Sequence, residues 1–448
     1  MLTNPIQIVK SWTFLLFIGC VVLILPAYSE ASASEAEAYF MCAGSAGFGL
    51  SCLDETGWQT FTRSDSSLDS DFIYDVTACA DGRMLIAQSQ GIVAFDGSNW
   101  KDYGETDFTS PEAIACDAAG NIWVGHYQGV STFDGRWKTY PASLLATGEA
   151  ASDLVNDLVI GLDGKVWVAT SNSVARFDGN KWTVFQEGSG FDDNYFFEKL
   201  AIDSHGSVWV AHSWGLFKYD DGTWTEYENF DVSGVQTIAV DNQDQIWLGT
   251  LTKGVFVFDG QTWSTYDRAN SALSSNDVNS ISIDAQGRLW FGTEYGVDIF
   301  DGTTWSAYRM DNADLVDNDV RDLAVLGAGP TLPAPIEKEP GSITGQLVDE
   351  DEQPIADAVI EICVERLSSR FYGPTPCADQ PFVRNTTTDA EGNFALEALP
   401  VGRYILTAKP EAGQWVQLTS GPGLSLSERI LVEAGQETDL KEIIITAE

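Results

Sequence analysis

The sequence predicts an all-β chain: a seven-bladed β-propeller with a composite closing blade, followed by a small β-sandwich. Three observations predict it. A unit of about 41 residues that closes on a tryptophan recurs along the first three-quarters of the chain. Incomplete units at the two ends of that array complement each other. A proline-rich stretch then separates the array from a segment with its own strand and turn pattern.

The chain has 448 residues, too many for one ordinary core and enough for two domains. Hydrophobic residues make up 44% and aromatic residues 12%, with 15 Trp, so an extensive core is available. The 41 glycines and recurrent Asp-Gly dipeptides favour many short strands joined by tight turns. Acidic residues number 66 against 24 basic ones, a formal charge of −42. That balance excludes nucleic acid as a partner, because phosphate binding needs clustered Lys and Arg.

Residues 1–33 read as a secretory signal peptide: Lys10, an apolar run from Trp12 to Leu25, Pro26, then small residues with cleavage after Ser29 or Ala33. An uncleaved membrane anchor is the alternative reading, although the apolar run is short for a span. The expected location is secreted or periplasmic, exposed at the cell envelope. Six cysteines remain beyond Cys20, which suits an oxidising compartment. Cys42 with Cys52, and Cys363 with Cys377, are hairpin-spaced disulfide candidates. Cys79 and Cys116 lie in successive repeats and either pair or stay buried as thiols.

Each repeat unit reads as a strand, an Asp-x-x-Gly turn, IWVGT, a short turn, GV-x-x-FDG and W-x-x-Y. Residues 113–140 and 281–308 show the pattern side by side. The closing tryptophans fall at Trp58, Trp100, Trp137, Trp182, Trp224, Trp263 and Trp305, a spacing that four short strands and their turns require. Trp123, Trp167, Trp209, Trp247 and Trp290 share one position of the second strand and are expected to pack between blades. Residues 318–326 (NDVRDLAVL) match the first strand of the preceding unit, and residues 44–61 match the remainder of a unit without a first strand. Joined, they complete a seventh blade and remove exposed sheet edges. The propeller therefore spans 39–327.

These units resemble the two-component-regulator propeller repeat, found in sensor ectodomains and in exported stand-alone proteins. The resemblance covers about residues 40–327. It implies a seven-bladed propeller and, as one functional reading, a sensor-type partner of a two-component signalling system; a membrane span and kinase of the sensor type are missing from the sequence.

Residues 328–340 form a proline-rich linker expected to be semi-rigid. Residues 341–448 follow, with TDAEGNFALEALPVGRYIL (388–406) as their most specific stretch. They resemble the carboxypeptidase regulatory-like domain, a transthyretin-type β-sandwich that serves mostly as a spacer or adhesion module and sometimes binds carbohydrate. An insertion at 367–385 departs from the minimal pattern, and a Cys363–Cys377 bridge would pin it.

A ligand site is expected on the face that carries the second-to-third strand turns and the variable inter-blade connections. His126 and His212 occupy one repeat position, where other units have Thr170, Thr250 and Thr293. Tyr127, Trp214 and Tyr295, with Glu294 beside the last, lie on the same turns. Aromatic faces with scattered carboxylates stack on and hydrogen-bond a carbohydrate or a peptide. The expected function is thus non-catalytic recognition by a monomer, with carbohydrate, peptide or an envelope protein as partner. Streptogramin lyases have somewhat similar repeats, so a lyase with His126 or His212 as base is the enzymatic alternative. No catalytic triad, phosphate loop or metal-ligand pair at fixed spacing accompanies them. No cofactor is expected. Calcium on clustered aspartates was the one metal the composition invites, without a D-x-[DN]-x-[DN]-G loop to hold it.

Overall fold

In the computed structural model the described residues are 41–448, apart from 90, 105–107, 109, 147–153, 187–190, 192–194, 213, 230, 328–331, 365–374, 379, 412, 419–428 and 446–448. The signal segment 1–33 lies outside them, as do residues 367–374 and 379 of the 367–385 insertion. Among the described residues no helix is long and apolar enough to cross a membrane.

Seven four-stranded antiparallel sheets form the propeller. Blades one to six run from Ile73–Ala78 to Trp100–Asp102, Pro111–Cys116 to Trp137–Pro141, Val155–Ile160 to Trp182–Phe185, Phe197–Ile202 to Thr223–Glu228, Val235–Val240 to Trp263–Tyr266, and Val278–Ile283 to Trp305–Tyr308. The seventh is composite. Its inner strand is Val320–Val325, and Met41–Ser45, Leu50–Asp54 and Gly57–Phe61 follow outward. Met41 faces Val325 and Ala43 faces Leu323 across the junction. Each inner strand packs against those of the neighbouring blades, and the seventh packs against the first, which closes the ring.

The repeat motif now has a physical account. Gly125 and Gly292 end the IWVG run because the next blade comes too close for a side chain: a Cβ would lie 2.4 Å from Val155 and 2.8 Å from Val320. The aspartate of Asp-x-x-Gly holds its own turn and also accepts the indole N–H of the second-strand tryptophan. Asp203, Asp241 and Asp284 take those of Trp209, Trp247 and Trp290 at 3.0, 2.9 and 3.0 Å. A buried indole thus acquires the partner it needs. The closing tryptophans pack against the phenylalanine of FDG, as with Phe300 and Trp305, stacked at 4.7 Å.

Every inner strand carries a register shift at its second residue: Tyr74, Glu112, Asn156, Glu198, Gln236, Asn279 and Arg321. A bulge there falls on two consecutive residues, both polar in every blade except the second, where the pair is Glu112-Ala113. The third residue of the strand then reaches the next blade. Asp75 accepts the N–H of Ile114 at 2.5 Å, Asp157 that of Leu200 at 2.7 Å, and Asp322 that of Val76 at 2.6 Å. Thr237 and Ser280 do the same for Ile281 and Leu323 at 3.1 and 3.2 Å. The latch is thereby made at five of the seven seams. Ala113 cannot make it. At the seam after blade four, where Lys199 stands, Glu198 accepts the N–H of Val235 at 3.2 Å instead.

The C-terminal domain is a sandwich. One sheet orders Asn393–Leu399, Gly341–Val348 and Glu437–Ile444, the last pair parallel. The other orders Val383–Thr387, Val359–Cys363, Gly402–Lys409 and Val416–Leu418, with Ile430–Val432 also on Gly402–Lys409. Ile343, Leu347, Ile360, Ile362, Leu406 and Tyr404 fill the space between.

The described part of the linker, residues 332–340, is packed rather than free. Gly327 accepts the N–H of Ala285 in the lower turn of blade six, while Pro333 accepts the hydroxyl of Tyr308 at 2.6 Å. Ile336 and Lys338 then bond to Asn312 and Asp311 on the opposite, upper face. Residues 333–338 thus lie against blade six and the connection after it, and the sandwich docks on the upper face. There Arg429 pairs with Asp317, Arg403 lies 3.7 Å over the ring of Phe48, and Val401 joins the blade-seven core. The sandwich is therefore a module docked on the propeller.

Candidate functional site

Burial separates the six expected ligand residues into three groups. His126 and His212 are both 0% exposed. Their ring nitrogens serve the blade except for His212 Nε2, which is buried without a hydrogen-bond partner 3.8 Å from Glu226. The Gln128 N–H points at His126 Nδ1 at 3.2 Å, Gln128 Oε1 lies 3.1 Å from the same nitrogen, and Nε2 is 2.9 Å from Ser131 Oγ. His212 Nδ1 accepts the N–H of Trp214 at 3.4 Å. The hydroxyls of Thr170, Thr250 and Thr293 accept from Ser173, Lys253 and Tyr295 in the same turn. The histidines are thus turn acceptors, in the role threonine plays elsewhere. Burial pushes both down to about 4, so they are neutral at ordinary pH. Neither ring faces solvent.

Glu294 and Tyr295 fall at the docked sandwich. Tyr295 packs against the sandwich core and lies under the Arg309 guanidinium at 4.9 Å. Glu294 is half-buried beside it. Tyr127 and Trp214 are different: they are 59% and 39% exposed. Phe196, at 47%, and Leu144 and Leu251 are also exposed on the upper connections and turns of blades two to five. These residues form an apolar arc over the part of the upper face that the sandwich leaves open. Tyr195 stands 5.9 Å from Trp214 and donates to Glu226 at 2.6 Å, so a fixed carboxylate borders the arc.

The inner strands enclose a cavity of about 490 Å³ on the axis, lined by Tyr74, Glu112, Lys199, Gln236, Arg321 and Asp322 among others. Sequence reasoning missed it. The available signal was the paired polar residues, such as Asn279-Ser280 and Arg321-Asp322, in strands that otherwise alternate. Burial raises Asp75 well above the usual carboxylate range, with Asp322 beside it adding to the shift, and burial also raises Asp157. Glu198 is pushed up to about 7 by the same cause. Among the described residues, no three His, Cys, Asp or Glu are grouped so as to hold a metal ion.

Among the described residues three disulfides are present: Cys42–Cys52 across the blade-seven hairpin, Cys363–Cys377 in the sandwich, and Cys79–Cys116 between the lower ends of the inner strands of blades one and two.

Comparison with known proteins agrees with this architecture. Residues 272–295 match the two component regulator propeller family, and residues 342–444 match the carboxypeptidase regulatory-like domain. No curated protein matches the chain. Among solved structures, the extracellular domain of BT4673 from B. thetaiotaomicron, assigned to a hybrid two component system, is 18% identical with a TM-score of 0.45. The alignment covers 59% of this chain and 38% of that one, so the chain spans well under half of that relative. Virginiamycin B lyase from Staphylococcus aureus is 15% identical with a TM-score of 0.47, over 58% of this chain and 89% of the lyase. PorZ, a surface component of the type-IX secretion system of Porphyromonas gingivalis, is 15% identical with a TM-score of 0.50, over 82% of this chain and 62% of PorZ. At such identities the likeness extends to fold alone.

Proposed function

We propose that the protein is an exported, non-catalytic recognition protein whose open upper face binds a glycan. The observation that carries this reading is the apolar arc of Tyr127, Phe196 and Trp214, left uncovered while the docked sandwich occupies the neighbouring blades. Flat aromatic faces bordered by a fixed carboxylate stack on sugar rings and bond their hydroxyls. The net charge of −42 disfavours acidic ligands. Three disulfides support a destination outside the reducing cytosol. The sandwich serves as a fixed wall of the face, and recognition needs no cofactor.

A glycan array read with the full chain tests the proposal, with a peptide library beside it. Trp214→Ala and Tyr127→Ala should each lose bound glycan about tenfold or more without a change in melting temperature. Binding of peptides alone, or glycan binding indifferent to both substitutions, would overturn it. A second reading rests on the family match at residues 272–295: the same face engages an envelope protein of a signalling system. Cross-linking from Trp214 position in intact envelopes to one defined membrane protein would favour that partner over a glycan.

A further inference from the structure

The axial cavity holds a set of side chains that the fold does not use. Asp75, Asp157 and Asp322 are committed to latching the next blade, and Glu198 to the Val235 N–H. Asn156 and Asn279 donate to the carbonyls of Phe197 and Val320 at 2.7 and 3.0 Å. Tyr74, Glu112, Gln236 and Arg321 have no such task. All four line the cavity, all are half-buried and reached by solvent, and their polar groups bond to nothing among the described residues. The Arg321 Nε is a buried donor without a hydrogen-bond partner, while its guanidinium lies 5.5 Å over Phe72. Latching explains the committed residues. It does not explain why four of the seven bulge positions direct uncommitted polar groups at the axis.

We infer that this cavity is a binding site for a single small neutral polyol, the terminal sugar unit of a glycan. The chemistry of the four free groups selects that class. One carboxylate and one guanidinium cancel in charge, and an amide and a phenol each donate and accept. A sugar hydroxyl does both as well. A free anion would meet the surrounding carboxyl groups, and a bare cation would find only Glu112 uncommitted. The volume of about 490 Å³ lies within the range of small-molecule sites, about 300–1,000 Å³. The bulge residues sit one position into each inner strand, next to the upper connections. Phe196 of the open arc directly precedes the inner strand of blade four, and the Leu251 N–H donates to Gly234, just before that of blade five. Arc and cavity are therefore adjacent. The inference rests on the glycan reading for the identity of its occupant.

Titration of the full chain with a panel of neutral monosaccharides and disaccharides, followed by calorimetry, tests it. Glu112→Ala and Gln236→Ala each remove a group that holds nothing, so the melting temperature should stay put. At least one small sugar should bind the parent chain and lose affinity about tenfold in each variant. The same sugar should bind Trp214→Ala unchanged. Absence of small-sugar binding, or equal binding to the Glu112→Ala/Gln236→Ala double variant, overturns the inference. If longer glycans still bind that double variant but fail with Trp214→Ala, the arc reading survives and the cavity reading falls. Small-sugar binding that needs Glu112, with long glycans indifferent to Trp214, gives the reverse result.

Discussion

Arg429 of the sandwich pairs with Asp317 on the connection between blades six and seven, and both side chains are buried, with Asp319 3.5 Å from the same guanidinium. Burial raises Asp317 to about 6 even though Arg429 opposes the shift. A charge pair removed from water is costly to break from one side only.

Arg429→Ala should therefore release the sandwich. The substitution leaves two acidic groups facing a desolvated surface and is expected to destabilise the docked state by about 3–5 kcal/mol. Small-angle scattering should show an increased maximum dimension, and protease should cut the 332–340 segment faster. An unchanged profile would mean that Val401 and the Arg403–Phe48 contact suffice.

Glu198 gives a pH signature. Its folded value of about 7 lies above the ordinary value of 4.5, so the folded state binds the extra proton between those limits. Stability from this group is full below about pH 4.5 and falls as pH rises toward and through 7. Glu198→Gln keeps an acceptor for Val235 and carries no charge. Its melting temperature relative to the parent should rise progressively between pH 4.5 and 8. A constant difference would show that the carboxyl is not held protonated.

Asp241→Ala removes the acceptor for the N–H groups of Gln243 and Gln245 and for the Trp247 indole, all at 2.9 Å. A buried indole and a tight turn lose their partner together, so about 2–3 kcal/mol should be lost in denaturant titration. Trp247→Phe, which removes donor and leaves the turn intact, should be the milder change.

His126→Thr restores the residue type found in three sister blades but leaves a void where the imidazole stacks on Phe108 at 4.7 Å. A loss of about 1–2 kcal/mol is expected, smaller than that of His126→Ala, with glycan binding unaffected. Loss of binding without loss of stability would return this histidine to the ligand site.

The ring itself was legible because tandem repetition multiplies a weak signal. One IWVGT segment says little, whereas Trp123 through Trp290 at a constant place in successive units dictates a sheet array. The composite blade was legible for the same reason, since NDVRDLAVL lacks its continuation and residues 44–61 lack their beginning. His126 and His212 misled because rarity and repeat position suggested chemistry, while a ring nitrogen accepting a turn N–H leaves no mark in sequence. Docking of the sandwich was not legible either. Arg429 and Asp317 are 112 residues apart, with no pattern linking them, and a proline-rich linker reads alike whether free or packed.

The joint between Met41–Ser45 and Val320–Val325 also sets a clock. A chain emerging N-terminus first presents residues 41–61 as a three-stranded sheet with its inner edge bare. That edge waits until roughly 260 further residues have been delivered, about thirteen seconds or more at usual synthesis rates of 5–20 residues per second. Blades one to six can assemble meanwhile, but the circle stays open until the last inner strand arrives. The Cys42–Cys52 bond, spanning only the waiting hairpin, is formed entirely from residues that emerge early, and keeps two of its strands in register for the strand that arrives last.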